Sequence, residues 1–191
     1  MLTPRGKERR RQLMDFAARR FAEQGFHPTS VAEIVSGLGV GKGVFYWYFA
    51  SKDDLLHAIL RDGQHDLRRT QQTAIGDETD PLKRLEAGLR ASMIWFDEHR
   101  HLVNLTQFAA TEETFASALQ RGHEVAIADT VKHIKDGIAT GAIRDVEPEI
   151  LAHAVLGVTG HLARELVHRR GEPADDVAEA AIAFCLTGLK G

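Results

Sequence analysis

The sequence predicts an all-α protein, with a three-helix head of about 50 residues followed by a longer helical body. Three observations carry this. Apolar residues recur at helical spacing along the whole chain, strand-like alternation is almost absent, and the breaks between periodic stretches hold glycine, proline or a capping residue. Residues 1–50 form the expected head, 51–74 a connecting helix, and 75–191 the body.

In the head, Leu13, Phe16, Ala17 and Phe21 make one apolar stripe over residues 5–24, and Gly25 is placed to end that helix as a left-handed cap. "TSVAEIVSGLG" follows, with Ser30 and Glu33 spaced as a capping box and Val31, Ile34, Val35 and Leu38 on one face. Gly39 marks a turn, anchored by the apolar Val40, and a short helix covers 42–48. Ser51 is placed to cap the next helix, with Asp53 and Asp54 in its first turn, running to about Gln72. After the polar break "IGDETDP", helices are expected near 81–97, 101–109, 112–139, 148–169 and 174–189.

Composition narrows the function classes. The 191 residues are 43% hydrophobic and 27% charged, as in a soluble globular protein. No apolar run is read as approaching the roughly 18 residues of a membrane span, and Asp15, Arg19 and Arg20 interrupt any signal-peptide core. The lone Cys185 has no internal partner and reads as a small core residue, so a cytoplasmic location is expected. The net charge of −3 hides an asymmetry: residues 1–52 carry +5 and the remainder −8. A basic head on an acidic body suits a protein that binds a polyanion with one end.

The stretch "GLGVGKGVFYWYFASK" at 37–52 resembles a phosphate loop, and fails as one. A Walker loop needs Ser or Thr after its lysine, where Gly43 stands, and a dinucleotide fingerprint would put its third glycine on Lys42. Both need a preceding strand, whereas "SVAEIVS" reads as a helix. A helix-turn-helix accounts for the same residues. Phe45 and Phe49, four apart, point inward. Five consecutive aromatics cannot all do so at about 100° per residue, so some of Tyr46, Trp47 and Tyr48 face outward, where tyrosine hydroxyls beside lysines can donate to phosphate oxygens.

From about Arg9 to Leu56 the chain resembles the TetR family of bacterial transcriptional regulators. A basic first helix ends in "FAEQGF", "TSVAEIVSGLGV" follows, and then "GKGVFYWYFASKDDLL", with Lys42, Gly43, Tyr46, Tyr48, Phe49 and Lys52 on the family's recognisable positions. The resemblance implies a DNA-binding head, a C-terminal dimerisation and ligand-binding domain, a homodimer, a palindromic operator in double-stranded DNA, and a small-molecule effector of unknown identity. The expected function is a ligand-responsive regulator, a repressor released by its effector, and not an enzyme.

By family role, Lys42 and Gly43 open the recognition helix close to DNA, and Thr29, Tyr46, Tyr48 and Lys52 clamp the backbone. Val44 and Trp47 are expected to discriminate sequence, valine through a thymine methyl. Gly41 departs from the family's usual Ser or Thr cap, a loss of a few tenths of a kcal/mol for folding and of one hydroxyl for phosphate. For the effector pocket the candidates are Met93, Trp95, Phe96, Phe108 and Phe115. The apolar helices 148–169 and 174–189 resemble the family's dimerisation pair, with Gly157 and Gly160 expected to admit another backbone.

No cofactor and no metal site are expected. His99 with His101, and His153 with His161, read as solvated or helix-terminal residues, and Glu165 with His168 is one Glu-x-x-His where a di-iron bundle needs two. The alternatives are an all-α metalloenzyme, which would carry stoichiometric iron or manganese, and a sequence-blind nucleoid-type binder, which would not prefer a palindrome.

Overall fold

The computed structural model describes residues 2–190, so the outermost residues of the expected head and body, 1 and 191, lie outside it. The helices are α1 (Pro4–Gln24), α2 (Val31–Gly37), α3 (Lys42–Tyr48), α4 (Lys52–Ile75), α5 (Pro81–Glu98), α6 (Arg100–Ala109), α7 (Glu113–Ala139), α8 (Pro148–Leu162) and α9 (Ala174–Leu189). No strand occurs among the described residues. The α8 axis continues through a π-helical turn, Ala163–His168, where one uninterrupted helix was expected.

Side-chain caps start several helices, among them the Ser30 and Ser51 caps expected from the sequence, while the stop expected at Gly25 differs. Thr3 caps α1 by accepting from the Gly6 amide, Ser51 accepts from the Asp54 amide at the head of α4, and Asp80 accepts from the Leu82 and Lys83 amides at the head of α5. The Ser30–Glu33 capping box forms in both directions. Gly25 ends α1 at φ 92°, ψ 156°, an extended conformation open to glycine, not the left-handed helical cap expected.

Contacts divide the chain into two compact units, residues up to Gly63 with His101–Leu119, and Gln64–Arg100 with Gln120–Gly191. This differs from the division read from sequence, which put 101–119 in the body. The first unit has a core of Leu13, Phe21, Ile34, Phe45, Phe49, Leu55 and Leu56, closed by Leu105, Ala109 and Phe115 from α6 and α7. Phe16, half-buried, lies over Gly37, where a Cβ would collide with its ring.

The second unit packs α5, α8 and α9 around Leu85, Leu89, Met93, Ile134, Val155, Val167, Ile182 and Leu189. Its polar groups pair across helices: Arg68 with Asp129 at 2.6 Å, Arg84 with Asp136 at 2.7 Å, and Gln71 donating to Ser92 Oγ at 2.7 Å. By length and composition α8 with its π turn passes as a membrane-crossing helix, which corrects the expectation that no segment approaches that length. Among the described residues, nothing beyond the helix's own backbone lies within 4 Å of a Cβ built on Gly157 or Gly160, so no other segment among them makes the close approach expected there.

Candidate nucleic-acid interface

The turn between α2 and α3 is fixed by backbone. Gly39 takes φ +64°, the left-handed region that glycine enters without penalty, and the Val40 amide donates to the Val35 carbonyl at 2.9 Å. Gly41 caps α3 with no side-chain bond.

From that start the seven residues of α3 divide by angle. Phe45 and Phe49 are buried and pack on each other at 5.8 Å. Tyr46 is 56% and Trp47 76% exposed. Lys42 and Gly43 are exposed, and Val44 and Tyr48 half-buried. Tyr46 and Trp47 are neighbours, so together they put adjoining aromatic surface in solvent, the kind of patch that marks an interaction site. A Cβ at Gly43 would meet nothing within 4 Å among the described residues beyond its own helix, so no packing contact there calls for glycine. The Tyr48 hydroxyl lies 3.6 Å from the Cβ position of Gly6, which sets it beside the capped first turn of α1.

Two of the eight expected DNA-contacting residues bond within the chain. Thr29 is fully buried, and its hydroxyl donates to the Gly25 carbonyl at 2.8 Å. The Lys52 ammonium donates to the carbonyls of Phe26, His27 and Thr29 at 2.7, 3.1 and 2.9 Å. An ammonium has three protons, and all three are engaged. It also stands 4.4 Å over the Phe26 ring, and burial lowers its pKa. Part of the basic charge of α1 is likewise balanced within the chain, Arg10 by Asp62 and Arg11 by Glu8.

Sequence reasoning missed the setting of the turn between α1 and α2. Phe26 packs its ring at 5.4 Å from Phe108 and 5.6 Å from Phe115, and His27 Nε2 lies 3.3 Å from Glu112 Oε1. These partners are more than 80 positions apart, beyond any periodicity signal.

The expected effector residues do not form one set. Phe108 and Phe115 belong to the first unit, against Phe26, whereas Met93, Trp95 and Phe96 belong to the second. Met93 is fully buried in the core. Trp95 is committed to a polar bond, its indole N–H donating to Asp66 at 2.8 Å, with the His99 ring stacked on it at 4.3 Å. That indole bond, helped by Arg69 and opposed by burial, holds the Asp66 carboxyl below its ordinary range.

Comparison with known proteins agrees with this geometry. The family profile described as bacterial regulatory proteins, tetR family, matches residues 13–59, the span from α1 into α4. The HTH-type transcriptional repressor KstR2 of Rhodococcus jostii is 30% identical over 194 residues, covering 95% of this chain and 91% of that protein. The solved structure of the ketosteroid transcriptional regulator KstR2 of Mycobacterium tuberculosis superposes with a TM-score of 0.73 at 25% identity, covering 100% of this chain and 97% of that one. A TetR-family regulator of Syntrophomonas wolfei shares the fold at TM-score 0.83 and 24% identity, with 95% and 94% covered. A buried-and-exposed division of α3 that leaves Tyr46 and Trp47 outward, the profile match over that helix, and a full-length relative together place the chain in the TetR family of bacterial transcriptional regulators.

Proposed function

We propose that this regulator is a homodimeric repressor that binds a palindromic operator through α3 and leaves it when a small molecule binds the body. The outward face of α3 carries this reading: Trp47 and Tyr46 exposed, Lys42 and Gly43 unobstructed at the helix start, and Phe45 and Phe49 locking the helix from behind. In that reading Val44 and Trp47 discriminate sequence, Lys42, Tyr46 and Tyr48 hold phosphates, and Gly43 lets the duplex come close. Thr29 acts from inside the head.

For the dimer, α8 and α9 supply the surface. Ile150 is 62% and Phe184 68% exposed, and Gly157, Gly160 and Gly188 are open to a second backbone. Small residues beside outward apolar ones suit a two-fold helical bundle, and the same surface accounts for the apolar composition of α8. For the effector, the M. tuberculosis relative, a ketosteroid transcriptional regulator, favours an apolar molecule carrying oxygen. A cytoplasmic location fits a chromosome-binding protein.

Selecting bound duplexes from a random pool tests the reading. The expected product is a palindrome with half-sites about 34–36 Å apart or a multiple of that, with affinity falling steeply as salt rises. Recovery of unenriched sequence would show a sequence-blind binder instead.

A further inference from the structure

We propose that the second unit takes an uncharged oxygen of its small molecule, a ketone or hydroxyl on an apolar ring frame, between Arg84 of α5 and His133 of α7. The proposal rests on the reading that the body binds an effector, and names the group recognised and the residues that recognise it.

Arg84 Nε and His133 Nδ1 are buried and have no hydrogen-bond partner among the described residues. A buried donor without an acceptor is costly, and such groups are rare enough in folded proteins that each calls for an occupant. Both atoms belong to one patch. His133 and Asp136 lie three apart on α7, on one side of that helix. Asp136 accepts from a terminal nitrogen of Arg84 at 2.7 Å, which leaves the Nε–H of the same guanidinium unused. One turn before His133, Asp129 accepts from Arg68 of α4 through two bonds, at 2.6 and 3.0 Å. His133 therefore sits between two ion pairs.

Helix spacing favours an occupant there. The close helix approaches of this unit join α9 to α5 and α8, with the π turn against all three. α4 and α7 instead reach each other and α5 through long side chains, Arg68 to Asp129, Arg84 to Asp136 and Gln71 to Ser92. One turn after Arg84, a Cβ on Gly88 would stand in ordinary contact with Ile75 of α4, so the wall beside the guanidinium is small and apolar.

Charge balance sets the class of group. Asp136 balances Arg84, and Asp129 balances Arg68. Burial, with Arg84 and the exposed Lys132 beside it, lowers the His133 pKa against the pull of Asp136 and Asp129, so the imidazole is neutral at pH 7. A carboxylate entering this patch would bring an unbalanced charge, whereas an uncharged oxygen brings none. That oxygen accepts from Arg84 Nε–H, and His133 Nδ1 completes the pair by donating to a ketone or accepting from a hydroxyl.

The test uses full-length protein and four probes that share one frame: tetralin, 2-tetralone, 2-tetralol and tetralin-2-carboxylate. By NMR, the ketone and the alcohol at millimolar concentration are expected to move the Arg84 Nε–H resonance downfield, and tetralin to leave it in place. The ketone should bind about tenfold tighter than tetralin, the worth of one hydrogen bond, and the carboxylate should gain nothing. Arg84→Lys, which keeps the charge but not the fixed Nε–H, and His133→Phe should each remove most of that preference. Because the preference is a ratio within one variant, a change in stability does not imitate it. An Arg84 Nε–H unmoved by the ketone and the alcohol, or one that reports only exchange with a bound water, overturns the proposal, as does tightest binding by the carboxylate. Shifts confined to Met93 and Trp95 overturn it and leave the effector reading standing. No shift anywhere in the second unit with any probe overturns it and counts against that reading too. If the variants unfold, the Arg84 resonance of the unmodified protein decides.

Discussion

The two units use their polar side chains differently. In the first, besides pairs such as Arg10 with Asp62, many polar groups bond to backbone: Thr29 to the Gly25 carbonyl, Lys52 to three carbonyls, Glu33 to the Ser30 amide, and Asp54 to the Ala50 amide. In the second, side chains link one helix to another by bonding to each other: Arg68 to Asp129, Arg84 to Asp136, Gln71 to Ser92, and Trp95 to Asp66. A side chain bonded to backbone fixes the chain path at that point. A side chain bonded to another side chain tolerates small helix shifts, because rotamers on both partners can follow. The first arrangement suits a unit that must present one surface, and the second suits a unit whose helices must adjust around a ligand.

Four measurements sharpen this contrast, from the largest expected effect to the smallest. Phe45→Ala removes the ring behind α3 and should cost about 3–5 kcal/mol, read as a lower denaturant midpoint with loss of DNA binding. Gly37→Ala puts a methyl group where the Phe16 ring lies and should cost about 1–3 kcal/mol, seen as a lower melting temperature. In the second unit the Asp66 carboxyl titrates below its usual range, so its bond to Trp95 stabilises fully above the unfolded value of about 3.9. That contribution is lost only as pH falls through the lower folded value. In a Trp47→Phe background, Trp95 fluorescence should stay flat through the ordinary carboxylate range and change below it. Asp66→Asn should abolish that change. Trp47→Ala should alter stability by under about 0.5 kcal/mol, because the side chain is mostly in solvent, while operator binding falls. A large loss of stability there would mean that the exposed face of α3 serves folding.

Much of the head was legible because its signals are local. The capping box, the Gly39 turn, the 42–48 helix and the inward pair Phe45 and Phe49 depend on neighbours within four residues. The internal bonds of Thr29 and Lys52 were not, since the carbonyls that Lys52 reaches lie 23–26 residues back, beyond any local pattern. In the body the helices were legible and their use was not. Apolar character suggests that Phe108, Phe115, Met93 and Phe96 pack inward, but only the folded chain assigns the first two and the last two to different cores. Trp95 is the sharpest case, because its commitment to Asp66 depends on a partner 29 residues away.

Leu105, Ala109 and Phe115 complete the core that begins at Leu13, and this has a consequence for biosynthesis. The helices that carry α3 leave the ribosome first but lack one wall of their interior until residues near 119 have emerged. At roughly 5–20 residues per second, the nascent head spends some seconds with Phe26 uncovered. Fragments ending near Gly63 should therefore aggregate or engage chaperones, and the shortest fragment that folds should be set by α7, not by the end of the helix-turn-helix.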